Sequence, residues 1–431
     1  MTYPIPFSYT KGVDIETFRQ GKKWKESIAL RNIVLLYGEI AFIGILNGTV
    51  GTYLGVFAIR LGASNTLIGL ISSLPALITV LLMYPSSQLV NLWEDKIEIN
   101  KWSLFFTRIF YLPLVFVPYF PQPALLILII VTLLAIPATA GNIAFNVMFI
   151  ELIPSSLRAT VLSNRNMLLM FVQILTSTLV GYLLDKTRFP VNFQIVMFIG
   201  FIASMVSLYL MTLLKPVKKI SVEKKPTVNW NSIFLSIGRQ FRDILEIFAN
   251  DKLFRDFQLA TFVFYLGLYI PMPLFNIRMV RELHFSNFLV GLTSTSSGLV
   301  MALSYLFWNK QGKKLGIRNA LFWSNLGIAL YPVIFSLFRS PYEIIAISGV
   351  SGFFSAGLNI FMYMALISFL PADKKAEYIA INGVISNISL SIGPIVGTQL
   401  SNIMGTTPVF FIGTIIRFIG TCLYLKCVPR N

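Results

Sequence analysis

Ser64-Asn65-Thr66-Leu67-Ile68-Gly69-Leu70 and Ser286-Asn287-Phe288-Leu289-Val290-Gly291-Leu292 agree at five of seven positions, and each opens an apolar run. A second set of matches follows in the same order. Ala140-Gly141 and Pro154 recur as Ala356-Gly357 and Pro371, Arg158 is matched by Lys375, and Gly181 by Gly397. One match among apolar segments is unremarkable. Two in order mark a chain built from two similar halves.

Between these landmarks the apolar runs have the length a bilayer demands, about 20 residues at 1.5 Å each. They fall at 33–59, 66–88, 102–119, 123–150, 158–184, 191–214, 257–280, 287–308, 319–338, 342–369, 376–402 and 408–427. The fold class expected is therefore all-α and polytopic, with twelve transmembrane helices in two six-helix halves. Six is even, so the halves are parallel repeats about an axis along the membrane normal. Composition agrees. Hydrophobic residues make up 55% and charged residues 12%, and the mean hydropathy is +0.73. A soluble domain carries roughly twice that charge.

The net charge of +17, from 35 Lys+Arg against 18 Asp+Glu, has two readings. Nucleic-acid binding is one. The basic residues, however, concentrate in alternate loops, which is the positive-inside pattern, and no nucleic-acid partner is expected. The same pattern puts both termini on the cytoplasmic side of the plasma (inner) membrane. Residues 1–31 are polar and basic, without the apolar core of a signal peptide, so the first helix is expected to stay. The expected organisation is a cytoplasmic segment 1–32, a bundle 33–214, a cytoplasmic central loop 215–256, a second bundle 257–427 and a tail 428–431. The central loop holds Lys218, Lys219, Lys224 and Lys225, followed at 230–248 by apolar residues at helical spacing, read as an amphipathic helix on the membrane surface.

Six plus six helices, parallel halves and a long basic central loop resemble the major facilitator superfamily. Glu151, six residues, then Arg158 is similar to that family's E-x6-R motif, although the second copy, Ser368 to Lys375, lacks the acid. The resemblance implies a gating role for Glu151, Arg158 and Lys375. The family's loop 2–3 motif is degraded to Asn91-Leu92-Trp93-Glu94-Asp95-Lys96, while loop 8–9 keeps Lys313-Lys314-Leu315-Gly316-Ile317-Arg318 without the aspartate. A Gly-Pro-x-x-Gly run is missing from the fifth helix and stands in the eleventh as Gly393-Pro394-Ile395-Val396-Gly397, and no arginine lies in the fourth. The resemblance implies a transporter and does not single out a proton-coupled drug exporter.

A transporter of this build binds its solute near the midplane, between the halves. Asn142 and Asn146 share a face of the fourth helix, roughly 18 and 12 Å from Pro154 at about 1.5 Å per residue. The repeat maps them onto Asn359 and Tyr363 of the tenth. Asn47 of the first helix maps onto Tyr269 of the seventh, with Tyr265 one turn earlier. The bland alternative is interhelical hydrogen bonding; the coincidence of depth favours a solute site for the set.

Charges inside the membrane are functional candidates by default. Glu39 is the one carboxylate well inside a span. Removing a carboxylate from water penalises its charged form, which makes Glu39 the candidate for proton coupling. The alternative is a structural ion pair with Arg108 at similar depth. Arg165, in Ser163-Asn164-Arg165-Asn166, is expected to line the cytoplasmic end of the cavity. Arg417 has no obvious acidic partner and is expected either to bond backbone carbonyls or to balance an anion. Three arginines against one glutamate lean towards an acidic solute; Thr293 to Ser297, Asn382 and Asn387 suit a hydroxylated or amphipathic one equally well.

One histidine, His284, and two cysteines, Cys422 and Cys427, form no metal set, so neither a metal nor another cofactor is expected. Enzyme chemistry at a membrane interface needs clustered acid and base residues that this chain lacks, and no phosphate-binding glycine loop points to ATP. The expectation is a monomeric secondary transporter of a small-molecule solute in the lipid bilayer, with protons as the candidate coupling ion. The rival is a transporter-like receptor or lipid scramblase without coupled flux.

Overall fold

The computed structural model describes residues 22–93, 95–216, 230–371 and 374–428. The basic run Lys218 to Lys225 and Glu94 lie outside the described residues. The first half comprises α1 (Ile28–Arg60), α2 (Asn65–Leu92), α3 (Lys96–Tyr119), α4 (Pro123–Leu152), α5 (Ser155–Lys186) and α6 (Val191–Thr212). A surface helix, Trp230–Asn250, precedes α7 (Lys252–Glu282). The next helix, Asn287–Leu337, has 51 residues. At 1.5 Å per residue that is about 76 Å, more than twice a bilayer core. It divides at Gly316, whose φ of 72° and ψ of 163° are not helical. The arms are α8 (287–315) and α9 (317–337). Then follow α10 (Pro341–Ser368), α11 (Lys375–Met404) and α12 (Thr406–Cys427).

Among the described residues, eleven helices are long and apolar enough to cross a membrane, and the break at Gly316 makes the passes twelve. A side chain at 316 is strained at that φ, so Gly316→Ala is expected to cost about 1–3 kcal/mol, seen as a lower thermal midpoint of the purified protein.

The repeat read from the sequence is repeated in backbone detail. Ser64 (φ −63°, ψ 160°) and Ser286 (φ −66°, ψ 159°) both cap their helices, with side chains accepting from Leu67 N–H and Leu289 N–H. Serine is favoured there because its oxygen satisfies a donor the helix cannot. Asp95 caps α3 and Asp251 caps α7 in the same way. As the passes alternate, both described chain ends and the surface helix lie at one end of the bundle, the terminal end. The short connections at 61–64, 187–190, 283–286 and 405 lie at the far end.

The central segment differs in one respect from a helix lying free on a surface. Ile244 is buried in the cluster that holds Phe254 and Val80, with Ile247 and Phe248 packed beside it. Leu245 faces outward. The helix is thus seated on α7 and α2.

Two helices depart from α-geometry over one turn each. Residues Asn47–Gly51 of α1 and Arg278–Glu282 of α7 form π-turns, a distortion that is frequent at functional sites. In the first, a Cβ on Gly48 would lie 2.9 Å from the Gln173 carbonyl. Glycine there lets α1 lie directly on α5.

Candidate functional site

A cavity of about 470 Å³ opens between α5 of the first half and α7, α8, α9 and α10 of the second. That is the size of a small-ligand pocket. Helix α5 lends Met170, Gln173, Ile174 and Ser177; α7 lends Phe275, Asn276 and Met279. Thr293, Ser294, Ser297, Gly298 and Met301 come from α8, Tyr331 from α9, Ser348 and Ser351 from α10. None of these lining residues is charged.

Some lining hydroxyls are already occupied. Thr293 donates to the Val290 carbonyl at 2.7 Å and Ser348 to that of Ile344 at 2.7 Å. Gln173, Asn276, Ser294, Ser297 and Ser351 make no side-chain hydrogen bond to another described residue. The two carboxamides enter from opposite halves. The Gln173 backbone lies against the π-turn of α1 at Gly48. Asn276 reaches towards α1 as well, its Nδ2 standing 3.1 Å from where a Cβ on Gly55 would be. Phe275, Tyr331 and the thioethers of Met170, Met279 and Met301 supply an apolar, polarisable wall.

The residues expected from the sequence fall elsewhere. Asn142 and Asn146 are exposed on α4, and Tyr363 on α10. Asn359 is exposed too, donating to Tyr305 Oη at 3.3 Å and facing Met301 Sδ at 3.8 Å, so it borders the cavity without lining it. Tyr265 and Tyr269 stack on each other on α7, with ring centroids 5.7 Å apart. Asn47 begins the π-turn of α1, and its carbonyl accepts from Thr52 Oγ1 at 3.0 Å. The Thr293 to Ser297 run contributes three of the lining residues.

The buried charges find partners the sequence did not indicate. Glu39 pairs with Arg165 at 2.9 Å, not with Arg108. Glu39 also accepts from Ser207 Oγ at 3.2 Å, and Arg165 Nη1 donates to the Leu36 carbonyl at 2.8 Å. The Arg165 guanidinium lies 4.7 Å from the Phe145 ring centroid. Arg165 is therefore locked between α1, α4 and α5 and does not line the cavity. Arg108 is buried in α3, and its Nε has no hydrogen-bond partner.

Arg417 is not in the cavity either. It is 2% exposed and donates to three carbonyls: Nε to Gly267 at 2.9 Å, Nη2 to Leu268 at 3.1 Å and Nη1 to Ile328 at 2.7 Å. The choice of carbonyls has a covalent reason. Gly267 and Ile328 stand four residues before Pro271 and Pro332, which have no N–H to complete the helical bond. Arg417 supplies the missing donors at both proline breaks. None of Arg108, Arg165 and Arg417 lines the cavity, so none of them offers a counter-charge to an acidic solute there.

At the terminal end, Glu151 is exposed and does not pair with Arg158. Arg158 instead donates to the Ile153 carbonyl at 2.9 Å and the Ile150 carbonyl at 2.6 Å, closing the C-terminus of α4, where a cation is favoured. Lys375 opens α11, but its side chain lies outside the described residues.

Sequence reasoning missed Gln173, Asn276, Ser348 and Ser351, and also Arg278, which is 6% exposed. Arg278 bonds Glu282 at 3.3 Å, Thr407 at 3.1 Å and the Ser336 carbonyl at 2.6 Å. The predicted seventh span ended at 280, so Glu282, one turn on, fell outside it. Single polar residues in apolar helices carry no spacing signal. Only the depth of Gln173 and Asn276 could have drawn attention to them.

A family model described as Major Facilitator Superfamily matches residues 38–254 and 257–431. The multidrug resistance protein MdtG of Proteus mirabilis (strain HI4320) is 29% identical over 151 residues, 34% of this chain. That match spans 36% of the relative, about a third of its length. Among solved structures, the nucleoside transporter NupG superposes with a TM-score of 0.66 at 14% identity, covering 94% of this chain and 100% of that one. An inward-open xylose transporter, XylE from E. coli, gives 0.64 at 14% identity over 94% of this chain and 97% of that one. At such identity the structural likeness shows the fold alone.

Proposed function

The chain belongs to the Major Facilitator Superfamily, a family of non-enzymatic transporters, and on that premise we propose that it is a secondary transporter of an uncharged, amphipathic solute. The observation that carries this reading is the cavity itself. Its unpaired carboxamides and hydroxyls require hydrogen-bonding partners, its aromatic and thioether wall suits an apolar face, and none of its lining residues is charged. A charged solute entering it would lose its hydration without a counter-charge in return, at a cost of several kcal/mol.

Gln173 and Asn276 hold the solute from opposite halves, so binding is linked to how the halves sit, as alternating access requires. The Arg and Lys distribution supports a cytoplasmic terminal end in the plasma (inner) membrane. The exposed carboxamides Asn142 and Asn146 support water reaching α4 at depth, because a carboxamide facing lipid is costly. Glu39, with Arg165 and Ser207, is the candidate for proton coupling, since protonation of Glu39 removes the ion pair and leaves Arg165 tied to α1 only through the Leu36 carbonyl.

Gln173→Ala and Asn276→Ala are each expected to weaken solute binding about tenfold, the effect of about 1.4 kcal/mol, with little change in the unfolding midpoint. The measurement is solute counterflow and equilibrium binding with the purified protein. Unchanged affinity in both variants would remove the cavity from consideration as the solute site.

A further inference from the structure

The repeated heptapeptide contributes no residue to the cavity, which begins at Thr293 just beyond the second copy, and its agreement between the halves has a separate structural reason. Each copy opens a helix at the far end against the opposite half. The start of α8 is received by Asp185, near the end of α5. Asp185 Oδ1 accepts from the Asn287 N–H and from Asn287 Nδ2, both at 2.9 Å, and Oδ2 accepts from the Phe288 N–H at 2.9 Å. The cap Ser286 serves only the next donor, Leu289 N–H, at 3.3 Å. The first two N–H groups of a helix in one half are thus completed by a carboxylate from the other, whose charge also suits the positive end of the helix dipole.

The start of α2 is received by α11 in the equivalent way, but with neutral groups. Asn65 Nδ2 donates to Asn402 Oδ1 at 3.0 Å, and Asn402 Nδ2 and Gln399 Nε2 both donate to Thr66 Oγ1 at 3.3 Å. Arg281 reaches Asn65 Oδ1 and the Ala63 carbonyl. Glycines bring the helices to backbone contact on both sides. A Cβ on Gly69 would lie 2.8 Å from the Pro394 carbonyl, and one on Gly181 would lie 2.9 Å from Phe288 Cα. Tyr53 spans the α5–α8 crossing, donating to the Ser177 carbonyl at 2.6 Å.

We infer that the two heptapeptide copies are the two leaves of a gate at the far end, and that Asp185 is the positioning residue that holds this gate shut. To open it, Asp185 must give up three donors and α8 must expose two N–H groups. The α2–α11 leaf exchanges only neutral bonds and the bonds of Arg281 to neutral acceptors. Bonds with an ionised donor or acceptor are roughly twice as strong as neutral ones; Asp185 makes three of them, two to backbone N–H groups at the positive end of a helix dipole, against two from Arg281, so the α5–α8 leaf is the stronger of the two. The inference rests on alternating access and adds the residue that sets its equilibrium.

The test uses Ser294→Cys as a reporter in the cavity, in a Cys422→Ser/Cys427→Ser background, labelled with a membrane-impermeant maleimide from either face of the membrane. Asp185→Ala is expected to raise labelling from the far side about tenfold, as loss of charge-assisted bonds predicts, and to slow labelling from the terminal side. Asp185→Asn, which preserves shape, shifts both rates in the same direction by less, and Asn402→Ala by less than about threefold. A purely structural role would lower the melting temperature and leave sidedness unchanged. Gly291→Ala drives a methyl group into the Tyr53 hydroxyl and pries the same leaf apart without touching Asp185. If Gly291→Ala raises far-side labelling while both Asp185 variants label as the parent does, the latch is overturned. If none of them raises it, alternating access falls with the latch.

Discussion

Arg417→Met is expected to destabilise the folded bundle by about 3 kcal/mol, and to do so without weakening solute binding by the protein that remains folded. Three carbonyls lose their donor, and those of Gly267 and Ile328 have no helical N–H to fall back on because residues 271 and 332 are prolines. Leaving a buried acceptor unsatisfied costs about 1–3 kcal/mol each. Removing a charge from a desolvated site offsets part of that. Arg417→Lys does not rescue, because an ammonium cannot present a planar fork to carbonyls on two helices. Thermal unfolding in detergent reads the first effect, and ligand titration of the folded fraction reads the second. A variant with the parental midpoint but lost affinity would return Arg417 to the solute site.

The second large effect concerns Glu39. Glu39→Gln leaves Arg165 charged and buried with only neutral partners: the Leu36 carbonyl, the Phe145 face and the oxygen of the new carboxamide. Breaking a buried pair from one side costs about 3–5 kcal/mol. Pairing that change with Arg165→Met replaces the ions by neutral groups and is expected to recover most of the stability. The double variant then separates two roles. If Glu39 carries the coupling proton, the double variant folds, exchanges solute down its gradient and fails to accumulate it. Accumulation at the parental level in that variant would make the pair structural.

The architecture was legible because it is written in quantities a sequence displays directly: apolar length, charge asymmetry between loops, and the heptapeptide at 64–70 and 286–292. Even the merged helix Asn287–Leu337 was separable, since no bilayer takes 51 residues in one pass. The candidate site was much less legible. Depth along a helix can be counted from Pro154, and on that basis Asn142, Asn146, Asn359 and Tyr363 formed a plausible set. Which way a helix face turns depends on its neighbours, and the cavity took Gln173 and Asn276 instead. Charge partners posed the same difficulty. Arg108 and Arg165 are equally credible partners for Glu39 by depth, and only the packing of α1 against α5 decides. Arg417 was open between carbonyls and an anion. Pro271 and Pro332 were in plain view, but their free carbonyls point to Arg417 only once α7, α9 and α12 are side by side.

The most direct test of the account is a thermal-shift screen of the purified protein against matched neutral and anionic solutes, because a ligand that binds only the folded state raises the apparent midpoint. Neutral amphipathic solutes are expected to raise it, and the shift is expected to be lost in the Gln173→Ala/Asn276→Ala double variant. A shift confined to anionic solutes and surviving in that variant would contradict it, and would place the solute outside the uncharged cavity.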